Sequence, residues 1–183
     1  MSAKGTITRA DYIDWNIAVE KVRLIKDKKP VMAALIATGI CTGLRISDLK
    51  GLKVEALGPQ IMIVEKKTRK PRILQLNPWA LEMLGSPNLP SSGFLFSKDG
   101  MSALTTQHIN RELKNIFADV KGVRISSHSL RKTFGRRVME QHGYSAEALL
   151  LLMDAFNHSS PAMTKVYLGI RQEEVNKIYM SVI

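Results

Sequence analysis

The sequence predicts an α+β fold: a mostly helical domain carrying a small antiparallel three-stranded sheet. Three observations predict it. Apolar residues recur at helical spacing along much of the chain. Ser, Thr or Asn start signals and Gly or Asn stops punctuate those segments. Two short β-rich runs, Ile61–Val64 and Arg72–Leu76, flank a basic connection and read as a hairpin, with a third strand expected near Lys53–Leu57. A chain of 183 residues is long enough for one domain with a sizeable core, so a single domain over residues 1–183 is expected.

In order along the chain, Thr8-x-x-Asp11 resembles a capping box, opening a helix that carries Ile13, Ile17, Val22 and Ile25 at helical spacing. Pro30 suits the first turn of the next helix, the apolar run Val31–Thr42, which Gly43 ends. Arg45–Gly51 is a short turn or helix, and Gly58-Pro59 a turn before the hairpin. Asn77-Pro78 opens a helix followed by the loop Ser86–Gly93. Thr105 or Thr106 caps a helix running to about Asp119, and Ser126 or Ser127 caps one that ends near Gly143. Ser145 caps Ala146–Phe156, and Asn157 supplies a left-handed stop. Ser160-Pro161 begins a short helix leading to Tyr167, and Gly169 separates a last segment, Arg171–Met180.

Lys and Arg number 27 against 16 Asp and Glu, giving a net charge of +11 and a pI near 9.9. That balance points to a polyanion, with nucleic acid the first candidate. The lone cysteine, Cys41, excludes an internal disulfide framework and suits a reducing cytoplasm; it reads as a small core hydrophobe. The longest apolar run is too short to cross a bilayer, and residues 1–7 contain no secretory apolar segment, so no membrane partner is expected.

Three polar clusters carry the chemistry. Arg45 follows the helix-ending Gly43, and a guanidinium can clamp a phosphate with two parallel hydrogen bonds. Asp48, three residues on, is placed to orient it. His128 and Arg131 share one face of a helix start, where exposed N–H groups favour an anion. His158 follows an apolar helix, and Tyr167 follows His158 by nine residues. Two arginines, two histidines and a tyrosine suffice to attack a phosphodiester without a metal: the cations hold the charged transition state and the phenol is the nucleophile. Between the strands, Lys66–Arg72 holds five basic residues in seven, which reads as a cationic loop entering a DNA groove. Each residue alone also fits a surface ion pair, a helix cap or a core-edge aromatic. Their joint order and spacing favours the phosphate-directed reading. No His-Glu-x-x-His, paired-cysteine or phosphate-loop motif occurs, so no metal, ATP or other cofactor is expected.

Thr42-Gly43-Leu44-Arg45-Ile46-Ser47-Asp48-Leu49, His128-x-x-Arg131, and Asn157-His158-Ser159-Ser160 followed by Val166-Tyr167 resemble the three motifs of the tyrosine recombinase (phage integrase) family. The resemblance runs from about Thr8 to the C-terminus and covers that family's catalytic domain; no counterpart of the family's usual N-terminal DNA-clamping domain is expected within these residues. Asn157 stands where the family usually has Gly, and the stretch between Arg131 and His158 is a few residues longer than common.

The resemblance implies a site-specific recombinase or integrase that cleaves and rejoins double-stranded DNA through a 3′-phosphotyrosyl link. Tyr167 would be the nucleophile and Lys67 the proton donor to the leaving 5′ oxygen. Arg45, Arg131 and His158 would hold the phosphate, with His128 assisting. Lys66, Arg69, Lys70, Arg124, Lys132, Arg136 and Arg137 would track the DNA backbone. It further implies a homotetramer on DNA, with the tail 169–183 docking on a neighbouring protomer. A cytoplasmic, nucleoid-associated protein of bacterial, archaeal or phage origin is expected. A type IB topoisomerase and a non-catalytic DNA-binding relic or regulator are the alternative readings.

Overall fold

The computed structural model describes residues 10–58, 60–86, 88–170 and 180. The expected last segment, Arg171–Met180, and most of the 169–183 tail lie outside the described residues. The described residues divide into two compact units, residues 10–134 and residues from 135 onward.

Residues 10–134 are built around α2 (Pro30–Thr42), which is apolar on all sides and almost wholly buried. Pro30 sits in its first turn and Gly43, at φ 62°, ends it in the left-handed region. Thr38 and Thr42 satisfy their buried hydroxyls by donating to the carbonyls of Ala34 and Thr38, four residues back. α1 (Trp15–Ile25), the four-residue α3 (Ile46–Leu49) and α4 (Pro78–Leu84) pack on α2. The core they share includes Val22, Leu35, Ile36, Ile40, Leu49 and Phe96. Fully burying each such Leu, Ile or Val stabilises the fold by about 1.5–3 kcal/mol. α5 (Thr106–Ile116) is capped by Thr105, whose hydroxyl accepts from His108 N–H.

Two expectations are corrected here. α1 starts at Trp15, because Asp14 accepts from the N–H groups of Asn16 and Ile17 and so takes the capping role expected near Thr8. Thr8 lies outside the described residues, and Asp11 instead accepts from Arg124 N–H. The sheet has two strands among the described residues, β1 (Gln60–Val64) and β2 (Pro71–Gln75), paired antiparallel with Ile61 opposite Leu74. The expected third strand is a 3₁₀ turn over Val54–Ala56. Ala56 N–H donates to Lys53 O and Leu57 N–H to Val54 O, while Val54 N–H reaches across to Gly93 O; pairing is thereby limited to an isolated bridge between Lys53 and Phe94.

α6 (Ser127–Gln141) begins in the first unit and continues into the second. Within residues 135–170, α7 (Ala146–Phe156) is capped by Ser145 and α8 (Pro161–Leu168) by Ser160. The two pack together with Leu149, Leu152, Phe156 and Leu168 buried. Gly135 permits the close approach of α6: a Cβ there would sit 2.5 Å from Leu168 Cδ2 and 3.0 Å from Phe156 Cζ.

Cys41 is half-buried, accepts a hydrogen bond from Asn77 Nδ2 at 3.2 Å, and has its pKa pushed up by burial to about 11. It is therefore a neutral packing thiol at pH 7. No helix among the described residues is long and apolar enough to cross a membrane.

Candidate active site

Arg45 is placed by the left-handed turn at Gly43. The chain leaves α2, runs extended at Arg45 (φ −66°, ψ 146°), and re-enters a helix whose Asp48 and Leu49 N–H groups donate to Arg45 O. The side chain thus projects from a backbone fixed on both sides. Its Nη1 donates to Oε2 of Glu65 at 3.0 Å. Glu65 closes β1 and is buried, with its side chain 2% exposed. The same Oε2 accepts from Thr68 Oγ1 at 2.8 Å, and Oε1 lies 3.5 Å from Arg72 Nη1. Nothing in the local pattern around Arg45 announces Glu65, which is 20 residues away. The available signal is that it is the acid abutting the five-base run.

Asp48 Oδ1 accepts from Lys66 N–H at 2.9 Å and from Ser47 Oγ at 3.3 Å, so the acid expected to orient Arg45 anchors the basic turn. Its Oδ2 is buried without a hydrogen-bond partner among the described residues. The turn itself is closed by Glu65 N–H donating to Lys70 O and Arg69 N–H to Glu65 O, with Arg69 in the left-handed region at φ 59°. Lys66, Lys67, Arg69 and Lys70 are all exposed on it.

At the start of α6, Ser126 Oγ accepts from His128 N–H, and Asn110 Oδ1 accepts from Ser127 N–H at 2.8 Å; the sequence signal found the serines but not Asn110. Arg131 is buried and its Nη1 donates to Gly43 O, two residues before Arg45. Both arginines are therefore referenced to the same left-handed turn. His128 reaches solvent, yet desolvation by surrounding protein, then the charges of Arg131 and Lys132, hold its pKa below the ordinary 6.5. It is neutral at pH 7 and able to accept a proton.

The other candidate groups lie within residues 135–170. Asn157 ends α7 at φ 53°, ψ 47°, the conformation a Gly would supply, so the departure from the expected Gly leaves the turn intact. The turn is closed by His158 N–H donating to Met153 O. His158 Nδ1 is 3.0 Å from Thr164 Oγ1 on α8. Phe156, His158 and Tyr167 meet edge to face, with the His158 and Tyr167 centroids 5.3 Å apart and the Tyr167 hydroxyl buried. Thr164 was not among the expected site residues; its signal is its position between the Ser160 cap and Tyr167.

The expected backbone-tracking residues divide by exposure. Arg124 is exposed, with its Nε 3.5 Å from Asp11. Lys132 and Arg136 are buried, at 8% and 5% exposure, and Arg137 is half-buried. Desolvation first, and then Arg124, push the Lys132 pKa down. Arg136 lies over the Tyr144 ring, 5.5 Å from its centroid. Lys132 and Arg136 are thus buried, as Arg131 is, whereas Lys66, Arg69, Lys70 and Arg124 are exposed.

The sequence profile of the phage integrase family matches residues 15–174. The probable integrase/recombinase YoeC of Bacillus subtilis (strain 168) is 31% identical over 170 residues, spanning 88% of each chain. Tyrosine recombinase XerD of Brucella suis biovar 1 (strain 1330) is 28% identical over 95% of this chain and 59% of its own length. Among solved structures, XerA recombinase shares the fold with a TM-score of 0.70 at 20% identity, over 92% of this chain and 64% of its own. The chain thus spans about three fifths of XerD and XerA and most of YoeC. With its arginine, histidine and tyrosine motifs inside the matched span, this chain belongs to the phage integrase family.

Proposed function

We propose that the chain is a site-specific tyrosine recombinase that cleaves and rejoins double-stranded DNA, residues 1–183 acting as one catalytic domain. The Tyr167 oxygen attacks the scissile phosphorus, forming a P–O bond to the phenol as the P–O5′ bond breaks. Neutral His128 accepts the phenolic proton, and Lys67 delivers a proton to the departing 5′ oxygen. Arg45, Arg131 and His158 donate to the non-bridging oxygens as charge builds. A 5′ hydroxyl of the partner strand then reverses the sequence. One phosphodiester replaces another, so the exchange needs no external energy source.

The observation that supports this reading most is the Phe156–His158–Tyr167 cluster. Of the described tyrosines, Tyr12, Tyr144 and Tyr167, it is Tyr167 that stands in register with the third motif and packs on its histidine. The DNA-bound XerH recombinase and lambda integrase structures, which share the fold, support a duplex as the partner. Backbone tracking falls to the exposed Lys66, Arg69, Lys70 and Arg124, with half-buried Arg137 beside them. On DNA the protein works in the cytoplasm as a homotetramer linked through the 169–183 tail.

The test is covalent capture on nicked duplex fragments, denaturation, and recovery of protein-linked DNA. Wild type yields adducts and Tyr167→Phe none. Adducts that persist in Tyr167→Phe, or DNA bound with no adduct in wild type, would refute the proposal.

A further inference from the structure

We propose that Glu65 is a positioning residue that couples the phosphate-binding Arg45 to the turn carrying Lys67; this rests on the recombinase reading above. One oxygen, Glu65 Oε2, accepts from both Arg45 Nη1 at 3.0 Å and Thr68 Oγ1 at 2.8 Å. On the other side of Lys67, the Lys66 N–H donates to Asp48 Oδ1 at 2.9 Å. Lys67 is thus flanked by two ties to the same short segment, residues 45–48. The lysine side chain is long and exposed, so the backbone that carries it must be held if its ammonium is to meet one oxygen of one phosphate.

Glu65 is built for that role. It is buried at the end of β1, its N–H and C=O close the turn against Lys70 and Arg69, and Arg72 on β2 lies 3.5 Å from its second oxygen. A buried carboxylate facing two guanidiniums and a hydroxyl keeps the ends of the turn in register with Arg45. A guanidinium carries five N–H donors, enough for this carboxylate and a phosphate together.

Substrate chemistry separates a role in placing Lys67 from one in holding Arg45. A duplex with sulfur in place of the bridging 5′ oxygen at the scissile position leaves as a thiolate and needs no general acid. The proteins are full-length wild type, Lys67→Ala, Arg45→Ala, Glu65→Ala and Thr68→Val, the last cutting only the turn's side of the tie. On ordinary DNA, Glu65→Ala should cleave about 100-fold slower, the lower end of what a positioned general acid contributes. On the sulfur substrate, Lys67→Ala, Glu65→Ala and Thr68→Val should all return to within about tenfold of wild type, whereas Arg45→Ala should stay slow. Amide hydrogen exchange over residues 66–70 should also accelerate in Glu65→Ala, a readout that requires no catalysis.

Glu65→Ala as slow on sulfur as on oxygen would place its action on Arg45 alone and overturn the proposal. Unchanged cleavage with unchanged exchange would overturn it as well. Failure of the recombinase reading looks different: wild type would form no Tyr167-dependent adduct on either substrate.

Discussion

Replacing Gly43 by alanine strikes the turn to which both arginines are referenced. Gly43 sits at φ 62°, where a side chain costs about 1–2 kcal/mol. An added Cβ would lie 2.4 Å from Phe134 Cδ1 and 2.9 Å from Cγ, far inside the ~3.5–4.0 Å carbon contact distance. The half-buried Phe134 ring must therefore move, and overpacking of this kind costs about 1–3 kcal/mol. The two contributions sum to about 2–5 kcal/mol, a large share of the roughly 5–15 kcal/mol that holds a domain folded. In guanidinium unfolding with a slope near ~3 kcal/mol/M, the midpoint should fall by about 0.7–1.7 M. Gly43→Ala combined with Phe134→Leu should recover the steric part and leave the backbone part. Because Gly43 O accepts from Arg131, any folded Gly43→Ala protein should also cleave DNA more slowly. A Gly43→Ala protein within about 0.5 kcal/mol of wild type would refute the argument, showing that neither the left-handed turn nor the Phe134 contact constrains this site.

Three further outcomes follow from the same geometry. Thr164→Val keeps the shape of the residue but removes the 3.0 Å contact to His158 Nδ1; losing about 1 kcal/mol of orientation should slow cleavage about fivefold, measured in single turnover. His128 has a folded pKa below its ordinary 6.5, so the unfolded chain binds that proton more readily. The stabilising contribution is complete above pH 6.5 and is lost as pH falls through the lowered folded value. Unfolding titrations of His128→Gln against wild type should show a shallower acid slope in the variant, and equal slopes would contradict the assignment. DNA affinity should fall with salt at a log–log slope of about −0.9 per neutralised phosphate, and Lys66→Ala or Arg69→Ala should each flatten it by about that amount.

Much of the fold was legible because its punctuation is local. Asn77, Thr105, Ser145 and Ser160 cap helices by accepting the N–H three residues on. Gly43, Asn157 and Gly169 stop helices at positive φ. Such signals depend on neighbours in sequence, so a linear reading captures them. The motif residues were legible for a different reason: their order matches one family across most of the chain.

What the reading missed divides into local competition between neighbouring signals and contacts between distant segments. Asp14 displaced the Thr8 region as the start of α1, a choice between two capping candidates a few residues apart. Lys53–Leu57 carries β-compatible residues, but i→i+3 bonds took the groups that a ladder would need. Glu65 finds Arg45 only through the hairpin, and Asn110 finds Ser127 only when α5 meets α6. Lys132 and Arg136 read as backbone-tracking cations by residue type, and that reading carries no sign that packing buries both. Charge composition predicts a polyanionic partner without saying which cations face it.

The central claim is that Tyr167 is the nucleophile. Peptide mapping of the protein–DNA adduct after nuclease and trypsin digestion tests it most directly. Cleavage after Lys165 and Arg171 releases residues 166–171, which contain Tyr167 and no other tyrosine. A nucleotide remnant on the Tyr167 phenol of that peptide is the predicted result. A remnant on the peptides of Tyr12, Tyr144 or Tyr179, with residues 166–171 unmodified, would contradict the account.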